Sequence, residues 1–587
     1  MRTSHPRLQA VTATVPDRLP RPGSALREAL HAGYGGSDLR RDVLAGLVVG
    51  IVALPLSMAL AIASGVPPQY GLYTAIVAGG LIPLLGGSRT QVSGPTAAFV
   101  VLLAPVSATY GLGGLLLATL LAGLFQVLFG VMRVGRFIEF IPHPVTTGFT
   151  FGIAVVIASL QLADLLGVSL LGHAESVPER LLDVARALPG WRWPELATGL
   201  FTLAILVLWP RLSGRVPSPL VALGAAMFGA WLAARSLPGF DVATIGDRFS
   251  FDAGGGAIGR GIPGRPPGLA LPWSLSGPGG EPLTLSFGLL RALLPPAFAI
   301  AILGAIESLL SAVVADGMVG TRHDPDAELL GQGMGNLVAP WFGGFAATGA
   351  LARTATNIRA GGRTPVAAVT HAVFVLVAML LLAPLLAHLP MAALAALLLM
   401  VAWNMSELEN VGHIIRVAPR SDALILGTCF LLTVLFDMVV AVTAGVLLAA
   451  LLFMRRMAEI SGARLVTEGA PTAHGPVPSG VLLYEIAGPL FFGAAQKAMR
   501  SLHDIAGPAK VVVLDLGAVP VLDATGLVGL ESAVERLQLD RRQVVLARVQ
   551  PQPMAVLARA NLDEKHAGVH FASTLDAALE MAGRLAA

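Results

Sequence analysis

The chain has 587 residues, of which 55% are hydrophobic and 13% charged, and its mean hydropathy of +0.74 excludes an ordinary soluble globular protein. Its formal net charge of +3 and pI near 9.3 do not indicate nucleic-acid binding, because the basic residues of the apolar part are arginines in short loops without aromatic neighbours. The single cysteine, Cys429, excludes an intrachain disulfide.

The N-terminal segment, residues 1–41, is polar, rich in Pro and Arg, and lacks the pattern of a cleavable signal peptide. From residue 44 onward, apolar runs of roughly membrane-spanning length recur between short polar breaks. These runs predict fourteen membrane helices, at 44–65, 70–87, 95–110, 113–133, 145–167, 195–210, 218–236, 289–316, 327–343, 349–360, 364–387, 391–405, 421–436 and 438–455.

The distribution of arginines predicts how these helices are oriented. Alternate short loops contain Arg89, Arg133, Arg136, Arg211, Arg215, Arg322, Arg359, Arg363, Arg416 and Arg420. The turns at 66–69 and 111–112 contain no basic residue. The positive-inside rule therefore predicts that both termini are cytoplasmic and that the longer connections, 168–194 and 237–288, are external.

Two of the predicted helices begin with a polar, glycine-bearing stretch. The third helix begins with QVSGPTAAF (91–99), and the tenth begins with TGALARTATN (348–357). Irregular backbone inside a membrane persists only where protein or a watery cavity satisfies its polar groups. A separation of seven helices reverses direction in the membrane, so the two stretches indicate inverted halves and a substrate site between two broken helices.

A helix N-terminus presents unpaired N–H groups and a partial positive charge, so two facing N-termini form a cradle for an anion. Pro95 suits a first helical turn, and small side chains allow an oxyanion to reach the backbone amides. The predicted substrate-binding residues are Pro95, Thr96, Ala97, Ala98, Ala350, Leu351, Ala352 and Arg353. The alternative is that the small residues serve close helix packing.

Two charged residues within the apolar segments are functional candidates. Arg353 can make a bidentate contact with an anion, or can be a structural counter-ion of Glu307. Glu307 lies midway along an apolar span, where a carboxylate is costly, and is the candidate carrier of a coupled proton. Ser311, one turn further on, supplies a hydroxyl beside it and is the second candidate coupling-ion residue.

The composition changes abruptly after residue 456. Residues 457–478 contain Pro471, Pro476 and Pro478 and are predicted to be a linker. Residues 479–587 alternate strand-like runs, at 480–486, 511–516 and 544–548, with helical patterns such as 527–537. This alternation predicts a small soluble α/β domain.

Several motifs resemble those of the sulfate permease (SulP) family of anion transporters. They are ALP (53–55), IASGVP (62–67), QYGLY (69–73), VSGPTAAF (92–99) and the stretch 348–363. PVLDATGL (520–527) is similar to the signature of the family's C-terminal STAS domain. Within the family, the stretches 303–310 and 398–407 most resemble the bacterial aerobic C4-dicarboxylate transporters. The chain departs from some members at Ala352, where they have Ser, and at Leu56, where they have Glu or Gln.

The resemblance implies an all-α membrane domain (42–456) of fourteen helices arranged as a seven-plus-seven inverted repeat. A mobile core (helices 1–4 and 8–11) would slide against a gate (helices 5–7 and 12–14), and the STAS domain (479–587) would follow. It also implies a homodimer in the bacterial inner membrane, with cytoplasmic protein partners reached through the STAS domain.

The function predicted from the sequence is proton-coupled transport of C4-dicarboxylates such as succinate, fumarate and aspartate. The alternatives are transport of an inorganic oxyanion (sulfate or bicarbonate), which could be sodium-coupled, an uncoupled anion channel, and a sensor in which the membrane part only anchors the STAS domain. No cofactor is expected, and the chain shows no convincing motif of a nucleotide-hydrolysing or hydrolytic enzyme.

Overall fold

The computed structural model describes residues 21–138, 141–170, 176–213, 216–254, 257–277, 280–436, 438–460, 462–467, 469, 471–472, 475–491, 509–566 and 568–587. The chain divides into two units between Val446 and Leu447. The first unit is helical and the second is built on a β-sheet.

The helices up to residue 460, given with the short strands in chain order, account for each predicted membrane segment, and the last of them, α18, crosses the boundary between the two units. They are α1 (Ser24–His31), α2 (Gly36–Ala63), α3 (Pro68–Leu85), β1 (Ser93–Gly94), α4 (Ala97–Val131), α5 (Gly135–Ile138), α6 (His143–Leu166), α7 (Val177–Ala187), α8 (Trp193–Leu212), α9 (Ser218–Ser236), α10 (Ile245–Arg248), β2 (Ser250–Gly254), β3 (Ala257–Arg260), α11 (Phe287–Val319), α12 (Pro325–Val338), β4 (Thr348–Gly349), α13 (Leu351–Arg359), α14 (Pro365–Leu386), α15 (Met391–Met405), α16 (Leu408–Val417), α17 (Arg420–Leu435) and α18 (Met438–Ile460).

The third and fourth predicted segments form one element, α4, which bends where the sequence separates them. Gly111 interrupts the helical backbone with φ 68° and ψ −174°. A side chain there would lie 2.5 Å from the backbone of Gly277, so the bend requires glycine. Within the described residues, nine helices are long and apolar enough to cross a membrane by length and composition. The predicted all-helical membrane fold is thus confirmed.

The helix contacts of the core repeat between its two halves. α4 packs on α11 and α12, and α14 packs correspondingly on α2 and α3. In these contacts α11 is equivalent to α2, α12 is equivalent to α3, and α14 is equivalent to the second part of α4. This correspondence between the halves is expected of an inverted repeat.

Strands β1 and β4 lie where these halves meet. They pair antiparallel, with Ser93 opposite Gly349 and Gly94 opposite Thr348. The pairing satisfies backbone groups that apolar surroundings would otherwise leave unpaired. It also places the starts of α4 and α13 beside each other.

The remaining long helices of the first unit form the gate. α6 packs against α15 and α17, and α8 packs against α15 and α9. The connections predicted to be external contain additional structure, namely α7, α10 and the β2–β3 hairpin.

The second unit contains a mixed sheet with strand order β11-β10-β9-β8-β5. Its strands and helices, with a small β6–β7 pair, are β5 (Gly462–Val466), β6 (Pro471–Thr472), β7 (Gly475–Pro476), β8 (Val481–Ala487), β9 (Val511–Ala518), α19 (Ala524–Leu539), β10 (Gln543–Ala547), α20 (Pro551–Arg559), α21 (Leu562–Lys565), β11 (Val569–Ala572) and α22 (Leu575–Ala586).

The central strands of this sheet are parallel, whereas β5 joins β8 antiparallel. Buried aliphatic residues cover both faces of the sheet, as expected for strands with helices on either side. The predicted α/β domain is therefore present. β5 lies inside the segment predicted to be a linker. Its strand pattern is weak on its own, and β5 forms because it pairs with β8.

Candidate functional site

The helices α4 and α13 both begin at the β1–β4 pair without a side-chain cap. The residue that precedes α4 is Thr96, and the residue that precedes α13 is Ala350; neither side chain caps its helix. Capping side chains ordinarily satisfy one or more of the first N–H groups of a helix. In the described part of the chain, both helix starts therefore leave backbone donors for another acceptor, which is the property that an anion cradle needs.

Two details of the predicted cradle are wrong. Pro95 precedes the capping position instead of lying in the first turn, because α4 begins at Ala97 after extended backbone at Thr96. The amide of Ala350 donates to the carbonyl oxygen of Val92 at 2.9 Å and so continues the β1–β4 pairing. The first helical amides are instead those of Ala97 and Ala98 on one side and of Leu351 and Ala352 on the other.

The side chains around these amides differ in exposure between the two sides. Ala97 and Ala98 are buried, whereas Leu351 is 42% exposed and Ala352 is also exposed. The site is therefore open along the start of α13 and closed along the start of α4. Small residues at Ala97, Ala98 and Ala352 keep the backbone within reach of a small anion.

Arg353 lies in the first turn of α13 and is 2% exposed. One of its terminal nitrogens, Nη2, donates to the carbonyl oxygen of Pro95. Within the described residues, Nε and Nη1 have no hydrogen-bond partner. The guanidinium thus lies behind the cradle as a buried cation with spare donors.

Gly94 makes room for this cation. A side chain at Gly94, where φ is 154°, would lie 2.5 Å from Nη1 of Arg353. This close approach explains the glycine between Ser93 and Pro95 in the first polar stretch.

Glu307 projects from the middle of α11 and is partly buried. The hydroxyl of Thr96 donates to its Oε2 at 2.9 Å. Among the ion pairs of the described residues, none joins Glu307 to Arg353. The carboxylate therefore contacts the start of α4, and the predicted counter-ion relation with Arg353 is not a direct contact in this structure.

Ser311, the other predicted coupling-ion residue, has a different neighbour. Its hydroxyl donates to Oγ1 of Thr354 at 3.3 Å, and the same Thr354 oxygen accepts the amide of Val92 at 3.0 Å. Ser311 therefore links α11 to α13 and, through Thr354, to the residue that precedes β1, while Glu307 contacts Thr96.

The sequence analysis did not identify Glu328, a second carboxylate beside the site. It is buried in the first turn of α12, where it accepts hydrogen bonds from residues that lead into β1. The signal that could have revealed it is an acidic residue immediately inside the predicted helix at 327–343.

A separate crevice of about 840 Å³ lies among α6, α8 and α15. Phe151, Leu206 and Trp403 are among its mostly apolar lining residues, and none of the lining residues is charged. None of the candidate residues lines it.

The chain matches two family models. Residues 39–428 match the model described as sulfate permease family, and residues 475–578 match the model described as STAS domain.

Curated relatives match over nearly the whole chain. The putative sulfate transporter YvdB of Bacillus subtilis is 38% identical over 92% of this chain and 97% of its own length. The bicarbonate transporter BicA of Picosynechococcus is 31% identical over 89% of this chain and 91% of its own length.

Solved structures also match. The murine anion transporter Slc26a9 in an inward-facing state has a TM-score of 0.81 and covers 96% of this chain and 94% of its own, at 18% identity, so this likeness shows the fold alone. The transmembrane domain of a cyanobacterial BicA is 29% identical, with a TM-score of 0.59, and covers 72% of this chain and 100% of its own.

Proposed function

This chain belongs to the sulfate permease family of anion transporters, and we propose that it carries an inorganic oxyanion, sulfate or bicarbonate, across the membrane. The observation that carries the proposal is the convergence of two uncapped helix starts, at Ala97 and Leu351, on one point. Arg353, buried behind that point with two nitrogens unpartnered among the described residues, adds a full positive charge.

The proposed site suits a small, compact anion. The first-turn amides of α4 and α13 would each donate to an oxyanion oxygen, and both helix dipoles favour negative charge at this point. Arg353 would act through its charge and through Nε and Nη1, which have no hydrogen-bond partner among the described residues, while its Nη2 donates to Pro95. The proposed ligand contacts are the amides of Ala97, Ala98, Leu351 and Ala352. Pro95, Thr96 and Ala350 shape the site instead.

Glu307 is the proposed proton carrier. Its carboxylate accepts the Thr96 hydroxyl at the start of α4, so its protonation would change the charge beside the anion. A proton and an oxyanion would then move together. Sodium coupling is the alternative, with Ser311 as a hydroxyl ligand, although Ser311 currently contacts Thr354.

We propose an elevator-like cycle, in which the core carries the cradle past the gate. The β1–β4 pair and the helix contacts that cross between the halves support movement of the core as one body. The positive-inside pattern supports cytoplasmic termini in a bacterial inner membrane. A homodimer and protein partners at the STAS domain complete the proposal.

The proposed domain limits are 1–41 for the N-terminal segment, 42–456 for the transporter, 457–478 for the connection, which contributes the edge strand β5 to the sheet, and 479–587 for the rest of the STAS domain. The unit boundary at Val446 and the ranges of the two family matches support this division.

Uptake by purified protein in liposomes tests the proposal. Labelled sulfate, bicarbonate and succinate would be compared with and without inward proton or sodium gradients, and empty liposomes serve as the control. We expect saturable uptake of sulfate or bicarbonate that an inward proton gradient accelerates. Uptake of succinate alone would restore the dicarboxylate specificity and overturn the oxyanion proposal.

A further inference from the structure

Glu328 is a carboxylate surrounded by donors, beside the cradle but outside it. It is 2% exposed, on α12. Its Oε2 accepts the amides of Gly87 at 2.9 Å and Ser88 at 3.0 Å. Its Oε1 accepts Nε2 of Gln91 at 3.1 Å and the hydroxyl of Ser308 at 3.2 Å. Four hydrogen bonds use the acceptor capacity that an ionised carboxylate offers.

The backbone around this carboxylate is shaped to admit it. A side chain on Gly86 would lie 2.6 Å from Oε2 of Glu328, and one on Gly87 would lie 2.0 Å from the carbonyl oxygen of Asp324. Gly331, one turn further along α12, would with a side chain come within 2.6 Å of the amide nitrogen of Gly86. Glycines on both partners therefore allow α12 to approach the segment that follows α3.

That segment leads directly to the cradle. Gln91 lies two residues before Ser93, where β1 begins, and Thr96 and Ala97 follow β1. Gln91 also donates to the hydroxyl of Ser308, which is the neighbour of Glu307 on α11. The carboxylate of Glu328 on α12 thus contacts both α11 and the backbone segment that leads to the start of α4.

We propose that Glu328 is a positioning residue for anion binding, which holds the start of α4 at the distance from α13 that the anion requires. This inference rests on the proposed oxyanion site. Glu328 would not contact the anion, because all four of its hydrogen bonds are made to the protein. Its negative charge is needed because donors converge on both of its oxygens.

A glutamine at this position cannot reproduce the arrangement. Its single amide oxygen could accept Gly87 and Ser88, but its own NH₂ group would then face the NH₂ group of Gln91. The start of the first polar stretch would consequently shift, although the fold outside it would persist.

Asp326 provides a matched control on the same helix. It is also buried and accepts a backbone amide, that of Gly135 at 3.2 Å. Gly135 follows the end of α4, at the opposite end of that helix from the cradle. A variant at Asp326 therefore removes a comparable buried carboxylate contact without disturbing the start of α4.

The experiment compares Glu328→Gln, Glu328→Asp and Asp326→Asn in the full chain, reconstituted in liposomes. Labelled sulfate and bicarbonate are the probes, and transport is normalised to folded protein. We expect Glu328→Gln to raise KM about tenfold or more, the factor given by ~1.4 kcal/mol. Glu328→Asp should recover part of the affinity, and Asp326→Asn should retain the wild-type KM. Equal KM values for Glu328→Gln and Asp326→Asn would overturn the proposal.

A second measurement does not depend on the transported anion. Hydrogen exchange of the amides at 92–98, measured without substrate, should accelerate in Glu328→Gln and remain unchanged in Asp326→Asn. Unchanged exchange in both would refute the positioning role. If the wild type carries neither probe while this exchange difference is found, the oxyanion function fails and the positioning role of Glu328 stands. Should Glu328→Gln not fold, Ser308→Ala removes one of the four donors and should accelerate the same exchange; unchanged exchange in Ser308→Ala would refute the role.

Discussion

The two sides of the cradle differ in helix length, exposure and charge. On the first side, Thr96 precedes a 35-residue element that begins with Ala97 and Ala98, and all three residues are buried and uncharged. On the second side, Leu351 and Ala352 begin a helix of 9 residues, are exposed, and are followed by the buried cation of Arg353. An inverted repeat has thus kept the backbone geometry on both sides while placing the positive side chain on only one.

Each side is also held by residues of the other half. Arg353 donates to Pro95, and the hydroxyl of Thr354 accepts the amide of Val92 at 3.0 Å. Glu307 and Glu328, both from the second half, bond to Thr96 and Gly87 in the first. The uncharged side therefore depends on the charged half for its position, so substitutions in the second half should have the larger effects.

The largest effect is expected for Arg353→Ala. Loss of a charge-assisted interaction costs about 1.5–3 kcal/mol, which corresponds to roughly ten- to over a hundredfold in affinity. The substitution also removes the contact to Pro95 that holds the first side. Equilibrium binding of sulfate to the purified variant, normalised to folded protein, measures the change.

Arg353→Lys is the control for this change. An ammonium restores the charge and can donate to Pro95, but it lacks the planar fork, so it should recover only part of the affinity. If the alanine variant folds normally and binds sulfate as tightly as the wild type, the backbone amides alone hold the anion. The two sides of the cradle would then be equivalent.

Glu307→Gln should alter coupling more than affinity. The glutamine oxygen can still accept the hydroxyl of Thr96, so the start of α4 should remain in place. An amide cannot exchange a proton in this role. Uptake in liposomes should therefore lose its acceleration by an inward proton gradient, while KM without a gradient stays near the wild-type value.

Ser311→Ala distinguishes the two coupling ions. If sodium is the coupled ion, this variant should lose stimulation by an inward sodium gradient, because one hydroxyl ligand is removed. If protons are coupled, it should behave as the wild type does. Proton-driven uptake that persists in Glu307→Gln would exclude Glu307 as the carrier.

Much of the fold was predictable from the sequence because membrane helices and parallel strands are encoded in local apolar runs. The separation of 95–110 from 113–133 anticipated the bend at Gly111. β5 was missed because its pattern is short, and its stability comes from pairing with β8, which a local pattern does not reveal. The amphipathic α16 was likewise passed over between two longer apolar runs.

The two chain breaks on which the proposed site depends were predictable, but the contacts around them were not. Glycine-bearing polar starts at matching intervals indicated where the chain breaks. The sequence could not show that the amide of Ala350 donates to Val92 and extends the β1–β4 pairing. Nor could it show that the guanidinium of Arg353 packs against Gly94. These features depend on the register of β1 with β4, which joins residues more than 250 positions apart.

The smallest effect on anion binding is expected from the second unit, which contributes none of the residues at the cradle. There, Arg548 donates through Nε to Oδ1 of Asp515 at 2.9 Å and through Nη2 to Oδ2. The hydrogen bonds to Asp515 raise the pKa of Arg548, so the guanidinium stays charged. Arg548 adopts φ 52°, a conformation that costs energy for a residue other than glycine.

Arg548→Ala in the full chain should destabilise the sheet unit and leave the affinity for the anion unchanged. Asp515 is 3% exposed and would lose its partner. Removing one member of a buried pair costs several kcal/mol, but Arg548 is partly exposed and water reaches it, so about 1–3 kcal/mol is expected. Asp515→Asn is the companion variant, since it removes the charge and keeps the size. Denaturant unfolding followed on this unit, beside KM for sulfate, measures both quantities. A tenfold rise in KM for sulfate in either variant would contradict this prediction and show that anion binding at the cradle depends on the sheet unit.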